Sequence, residues 1–430
     1  MCKKCAEQKI DEMQKAKAHK NESTNNAMSA MQAYKEIHIW EFPPLNTFIT
    51  LDDAFRKCLF DDLMHKMNFH RAAELLNASA PIYGITRNYN AGHLCSWKKG
   101  QKKDRGVIKN VNIPLWIAIE MSKSLSNSEK IDNPLMHDIE KNIVSYECSG
   151  KAIAVNNPIL PVLLTPELVS VIFHLCGDGH IGEGRTVSSY RQMTPEALNN
   201  FLKKLNNCFG AFKLNESEFK DGKLVIPRVI TEFYKHYFEL NSCNWDVARI
   251  PESIKQMNKD FLTAGLLAFM VDEGHISHSV EIYSKNKLLL QDVLSIAASL
   301  GLETSHIDEK FKEGKLSSYR VRLSLENMDK LCRGMKKLSK EFPTCTLCHK
   351  SKHLENIANR QARNWKQRDD GETKELILTH LDAPITSKVL AERVGIGIST
   401  LNEHMLQLQK SGSVRNVSRI GNANLWRKVE

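Results

Sequence analysis

Residues Leu168–Ile181 read LVSVIFHLCGDGHI, and residues Leu262–Ile276 read LTAGLLAFMVDEGHI. Each is an apolar run of helical length that ends on an acid and continues as Gly-His-Ile. A helix C-terminus already carries partial negative charge and favours cations in its last turn, yet here the chain places Asp178 and Glu273 at the two ends. Carboxylate, unpaired carbonyls and helix dipole together strain a bare protein and welcome a divalent cation. Gly179 and Gly274 are expected to stop the helices in the left-handed conformation. If the helices lie side by side, their acids meet at the bottom of the seam and can hold metal between protein and a phosphate. That is the layout of metal-assisted phosphodiester hydrolysis.

The chain between and beyond these stretches also repeats. After the first come Val187–Tyr190, a helix from about Thr194 to Cys208, Gly210, a strand opened by Gly222-Lys223-Leu224, and a helix at Thr231–Leu240. After the second come Val280–Tyr283, a helix from about Lys287 to Leu300, Gly301, Gly314-Lys315-Leu316, a strand at Tyr319–Leu325 and a helix at Asn327–Leu338. Up to the last helix of each half the offsets stay between 91 and 95 positions. Each half therefore reads as helix, strand pair, helix, strand pair, helix, with Arg249-Ile250-Pro251-Glu252 as the linker entering the second half.

On these residues the chain resembles the double-motif LAGLIDADG homing endonucleases, over roughly residues 160–345. The resemblance implies an α+β fold, a duplicated αββαββα saddle with pseudo-twofold symmetry, acting as a monomer on double-stranded DNA. It implies catalytic acids at Asp178 and Glu273 and Mg²⁺ or Mn²⁺ held by Asp178, Glu273 and the residues before them, Gly177 and Asp272. The saddle strands would ride on DNA, with Arg185, Arg191, Lys223, Arg228, Lys285, Lys315, Arg320 and Arg322 as candidate contacts. His180 and His275 are accessory candidates that could orient water or touch phosphate. The family often carries a lysine just before the Ile-Pro linker; none stands at 241–249, and Arg249 is the nearest substitute. His174, inside the first apolar stretch, is expected to be a satisfied core or partly exposed histidine and not a catalyst.

The bounds agree with several domains and an anionic partner. A chain of 430 residues with 42% hydrophobic content is long enough for two to four packed domains, and its formal charge of +10 favours polyanions. Eleven scattered cysteines, no secretory leader and no apolar run of eighteen point to a reduced cytoplasmic or nucleoid setting without a membrane partner. The expected divisions are a polar arm (1–35), a helical helix-turn-helix-like domain (36–130), a connection (131–160), the repeats (161–250 and 251–345), a linker (346–371) and a C-terminal domain (372–430). In the second, Ala72–Leu76 and His93–Gly100 would be the paired helices, followed by the basic run Gln101–Arg105. Cys345, Cys348, His349 and His353 have metal-ligating chemistry but cramped spacing, and Cys2-x-x-Cys5 stands alone, so structural zinc is not expected.

Residues 372–430 read as helices at Thr373–Leu381, Ser387–Val394 and Ser399–Lys410, then a hairpin of Ser413–Ser418 and Asn424–Lys428. That order resembles a winged helix-turn-helix, with Ser399, Thr400, Asn402, Glu403 and His404 on the groove-reading helix and Arg415, Arg419, Arg427 and Lys428 in the wing. Three functions fit: a site-specific DNA endonuclease, a transcription regulator on the same core with little or no cleavage, and an RNA-binding maturase. Protein splicing is not expected, since the chain lacks an N-terminal nucleophile paired with a terminal His-Asn.

Overall fold

The computed structural model describes residues 34–104, 107–148, 152–182, 186–240, 243, 246–362, 371–420 and 423–429. They fall into two compact units, Met1–Ala358 and Asn359–Glu430, each with its own apolar core. The class is α+β: helices with several small antiparallel sheets. Among the described residues no helix is long and apolar enough to cross a membrane.

The two quoted stretches are the innermost helices of the first unit. The first, Pro166–Cys176, begins at Thr165, whose hydroxyl accepts from the Leu168 amide, with Pro166 in the first turn where a missing N–H costs nothing. The second, Lys259–Glu273, begins at Asn258, which accepts from the amides of Asp260 and Phe261. Every residue of the first, and Phe261–Val271 of the second, is buried, as an all-round apolar helix must be. Where they meet, Gly265 faces the ring of Phe173: a Cβ at Gly265 would lie 2.2 Å from Phe173 Cε2. Glycine at this point sets how closely the backbones approach.

Each helix turns into a small antiparallel sheet. Gly179–His180 pairs with Ser189–Arg191, which pairs with Lys223–Val225. In the second half Gly274–Ile276 pairs with Val280–Ser284, which pairs with Lys315–Leu323, and that strand carries Asp308–Lys312 on its other edge. The halves share strand order up to this edge. In the first half the corresponding chain is a short helix, Glu216–Lys220, while Ala211–Phe212 leaves to pair with Val155–Asn156. That pairing joins the first repeat to a five-stranded sheet containing Ile143–Glu147, Phe48–Leu51 and Ile113–Pro114.

The region before the repeats is therefore not purely helical. It has helices at Asp53–Lys66, Phe69–Ser79, Ala91–Lys99 and Leu115–Ser126, but Phe48–Leu51, with alternating burial, is a sheet strand that expectations based on helical periodicity pass over. The stretch between the two helix-turn-helix candidates holds a 3₁₀ turn, Ala80–Tyr83, ended by left-handed Gly84. Arg56 is buried and donates to the carbonyls of Lys98 and Lys99, closing the end of the Ala91–Lys99 helix. Gln101–Asp104 is one strand of a hairpin with Val107–Asn110.

The second unit has helices at Glu372–Thr379, Ser387–Val394 and Ile398–Lys410 and a three-stranded sheet of Ile385–Thr386, Ala423–Lys428 and Val414–Ile420. Thr386 caps the middle helix, while the third starts from Gly397, which puts Ser399 inside the helix instead of at its cap.

The Gly265 contact gives a direct test. Gly265→Ala is expected to destabilise the protein by about 1–3 kcal/mol through overpacking, and Phe173→Leu should recover part of that loss. Denaturant unfolding of the two single variants and the pair checks it, with purely additive effects counting against the contact.

Candidate functional site

At the lower end of the seam the first helix stops at Cys176, Gly177 follows as its C-cap and Asp178 comes just beyond. The second helix runs on through Asp272 to Glu273. The glycines after the acids are not left-handed: Gly274 is extended at φ −88°, ψ 139°, and Gly179 enters a strand directly. What demands glycine is the chain folding back over the helix's last turn. A Cβ at Gly179 would lie 2.4 Å from Leu175 Cα, and one at Gly274 would lie 2.4 Å from the Met270 carbonyl oxygen. Gly177 is needed for a different neighbour, since its Cβ would fall 2.8 Å from Asp272 Oδ2.

Three carboxyls thus lie near enough to feel one another's charge, Asp178, Asp272 and Glu273, although one oxygen from each does not come within 4.8 Å of the other two. Burial and mutual repulsion push Asp178 up to about 7 and Glu273 up to about 8, and burial pushes Asp272 up to about 7. Donors hold them in place. Gln192 Nε2 bridges Asp178 (2.5 Å) and Asp272 (3.1 Å), and the Tyr190 hydroxyl donates to Asp272 at 2.6 Å. His174 Nδ1 lies 3.0 Å from Asp272 Oδ2, and the fully buried Lys204 reaches His174 Nε2 at 3.1 Å. Burial and the Lys204 charge hold the imidazole well below its usual range, so it is neutral. Its Nε2 accordingly accepts from the ammonium and its Nδ1–H donates to Asp272.

A second lysine approaches from outside the repeats. Lys350 donates to the carbonyls of Met270 (3.0 Å), Val271 (2.5 Å) and Gly274 (2.7 Å), where the second helix gives way to its strand. Its charge is felt by all three acids and opposes their upward shift. Burial in turn lowers Lys350 from the usual lysine range. Arg249, by contrast, is committed elsewhere: its guanidinium makes a two-pronged contact with Asp292, at 2.7 and 2.8 Å, shared with Lys255 and the Ile250 amide.

The donor chemistry, carboxyl oxygens held by amide and hydroxyl donors, is of the kind a hard dication takes. Gly177 and Glu273 also line an open cleft together with Lys285, Tyr283 and Ser318.

The other sequence candidates are dispersed. His180 and His275 are exposed at strand starts, opposite Ser189 and Glu281. Arg191 is exposed at a strand end; Lys223 pairs with Glu218 at 3.4 Å; Arg228 begins a helix, not a strand, and pairs with Glu232 at 3.5 Å. Lys315 is exposed, whereas Arg320 is largely buried between Glu281 and Asp308, and Arg322 shares Glu281. Arg185 lies outside the described residues, as do Cys2 and Cys5. In the second unit Ser399, Thr400, Asn402, Arg415 and Arg419 are exposed. Cys345 and Cys348 are buried thiols pushed up to about 11 by that burial.

Sequence reasoning missed Gln192, Tyr190, Lys204 and Lys350 as parts of this site. Tyr190 sits in the strand paired with Gly179–His180 and Gln192 directly follows it, so strand pairing could have found them. Lys350 left no local signal, because only a long-range contact brings it in.

No protein-family model matches the chain. Over 254 residues it is 24% identical to glutamine–fructose-6-phosphate aminotransferase (isomerizing) of Methanocaldococcus jannaschii, a match covering 57% of this chain and 21% of that protein. The chain thus spans about a fifth of that relative. Among solved structures it is similar to mesophilic variants of the homing endonuclease I-DmoI, with TM-score 0.27 and 18% identity over 39% of this chain and 87% of that one. It is also similar to I-DmoI in complex with DNA and Mn, with TM-score 0.27 and 17% identity over 40% of this chain and 97% of that one.

The raised carboxyls fix a pH dependence. An acid raised in the folded state contributes stability that is fully present below its unfolded value, near 4, and is lost as pH rises through its folded value. Metal-free protein should therefore lose stability between about pH 4 and 8, by up to about 1.4 kcal/mol per pH unit for each carboxyl. Asp178→Asn should flatten this slope and Lys350→Gln should steepen it, as thermal melts in chelator across that range would report.

Proposed function

We propose that the chain is a metal-dependent, site-specific DNA endonuclease of the LAGLIDADG type. The observation that carries this reading is the set of three carboxyls, Asp272 with its side chain buried and Asp178 and Glu273 half-buried, where two apolar helices meet, with Lys350 beside them. Buried like charges destabilise a fold that gains nothing from them. A dication and a polyanionic substrate give them a use. In this reading the repeats form a saddle about a pseudo-twofold axis, in a monomer, and the flanking regions extend the contact with DNA. The C-terminal unit serves as a winged helix-turn-helix whose exposed Ser399, Thr400 and Asn402 meet base edges and whose Arg415 and Arg419 meet phosphates.

Asp178 and Glu273 would hold Mg²⁺ or Mn²⁺ together, with Gly177 and Asp272 contributing beside them. Such an ion, when bound, polarises a phosphodiester oxygen and acidifies water. The chain's own groups do the rest. Gln192 keeps Asp178 and Asp272 at a fixed separation, and the neutral His174 with Tyr190 keeps the Asp272 carboxyl in one orientation. Lys350 supplies a positive charge toward developing negative charge on phosphate. That role falls to Lys350 because Arg249 is engaged by Asp292.

A second reading is a regulator that binds a DNA site without cutting it. It is favoured by the exposed recognition face of the C-terminal unit and by the absence of a lysine ahead of the Ile-Pro linker.

Cleavage of a randomised duplex library with and without Mg²⁺ separates the two. Asp178→Asn or Glu273→Gln is expected to lower the cutting rate at least about a hundredfold, equivalent to several kcal/mol of lost charge stabilisation, with DNA binding retained. Selection of a DNA site that the native protein never cuts would leave the regulator. Mg²⁺ should also raise the melting temperature more at pH 8 than at pH 6, because it binds the ionised acids.

A further inference from the structure

We infer that His38, His137 and Glu140 form a binding site for a transition-metal dication, zinc being the type case, built from elements outside the two repeats. One donor atom from each of the three residues lies within 4.8 Å of the others. His38 precedes a short 3₁₀ turn, Ile39–Glu41, while His137 and Glu140 lie one turn apart on the Pro134–Lys141 helix. At i and i+3 the two share a helix face, the spacing that lets a helix offer two ligands at once.

The outer contacts select which atoms point inward. His137 Nε2 is held by Asp132 Oδ1 at 2.7 Å, which leaves Nδ1 as its donor. His38 Nδ1 is 2.8 Å from Glu140 Oε2, while His38 Nε2 faces Glu36 at 3.7 Å. Glu140 spends its other oxygen, Oε1, on the Ile39 amide at 2.7 Å. His137 and Glu140 thus each have their second polar atom hydrogen-bonded by a carboxylate or a backbone amide, the outer arrangement that orients ligands in metal sites, and His38 Nε2 has the Glu36 carboxylate nearby. Glu140 is almost wholly buried, with 3% of its side chain exposed, and the His38 ring is stacked on Trp40 at 4.2 Å. Two imidazoles and one carboxylate match zinc, cobalt or nickel better than magnesium. The all-oxygen seam has the opposite preference.

The place in the fold gives the site a structural consequence. Glu36–Ile37 pairs with Val162–Leu163, the strand that leads into the first buried helix. An ion here would clip the chain at residue 38 to a helix 102 positions away in the His38–Glu140 contact. It would thereby brace the strand that positions the seam.

The test uses the full chain, stripped by chelator and titrated with Zn²⁺ and then Co²⁺ in excess Mg²⁺. One ion per chain should bind and resist displacement by Mg²⁺, raise the melting temperature, and give cobalt d–d bands without a sulfur-to-cobalt charge-transfer band. His137→Gln and Glu140→Gln should weaken binding at least about tenfold; the latter keeps an acceptor for the Ile39 amide. Asp132→Asn, an exposed change that leaves folding unaffected, should weaken it about tenfold and decides the matter if another variant fails to fold. No uptake by the native chain, uptake indifferent to these substitutions, or a thiolate charge-transfer band would overturn the site.

Discussion

Everything in the first unit depends on how closely two apolar helices approach. Gly265 lets the Phe173 ring lie against the backbone of the second helix, and Gly177 lets the Asp272 carboxyl lie against the end of the first. At that distance neither helix can keep its terminal acid in bulk water. The acids then need partners from within the protein, and the surrounding elements supply them: Tyr190 from a strand and Gln192 just past its end, His174 from the first helix itself, Lys350 from the segment beyond the second repeat. Packing sets the electrostatic problem, and the polar contacts are the fold's partial answer to it.

The answer is not symmetric, although the sequence repeat is. Asp178 and Glu273 correspond, but the residues before them are Gly177 and Asp272, so only the second helix adds another side-chain carboxyl. Only the first helix carries a histidine to meet it, and only behind the first helix does a buried lysine, Lys204, stand to hold that histidine neutral. The sheets diverge in the same direction. The second repeat keeps a four-stranded sheet of its own, whereas the first gives Ala211–Phe212 to the five-stranded sheet of the N-terminal region. The duplicated unit thus has one half that shares a sheet with the region before it and one half that keeps its sheet to itself.

Much of this was legible in the chain because it is local. Apolar runs of helical length, the strands after each acid and the order of elements in residues 372–430 follow from periodicity and turn chemistry. What was not legible depends on contacts between distant segments. Phe48–Leu51 is too short to declare itself a strand without its partners at 113–114 and 143–147. Gly179 and Gly274 could be read as required, but the reason, a close pass over the helix's last turn instead of a left-handed angle, is a property of the folded chain. Charges read as a DNA face were partly spent internally, as the burial of Arg320 between Glu281 and Asp308 shows.

The position of the cation follows from the same reasoning. A guanidinium at 249 satisfies Asp292, a buried acid on the helix that follows the second hairpin, and it does so with two hydrogen bonds in a geometry lysine could not reproduce. Once committed there, it cannot serve the seam. The end of the second helix still presents three carbonyls and lies among three acids, a potential that only a cation with three donors and a long flexible stem can meet from outside the repeats. Lys350 has that form. Its segment is also anchored for the task, since Cys345, Leu347 and Cys348 are buried in the core just before it and Thr344 is tied to Glu167 on the first helix. The residue that completes the electrostatics of the seam is thus held in place by both helices whose acids it neutralises.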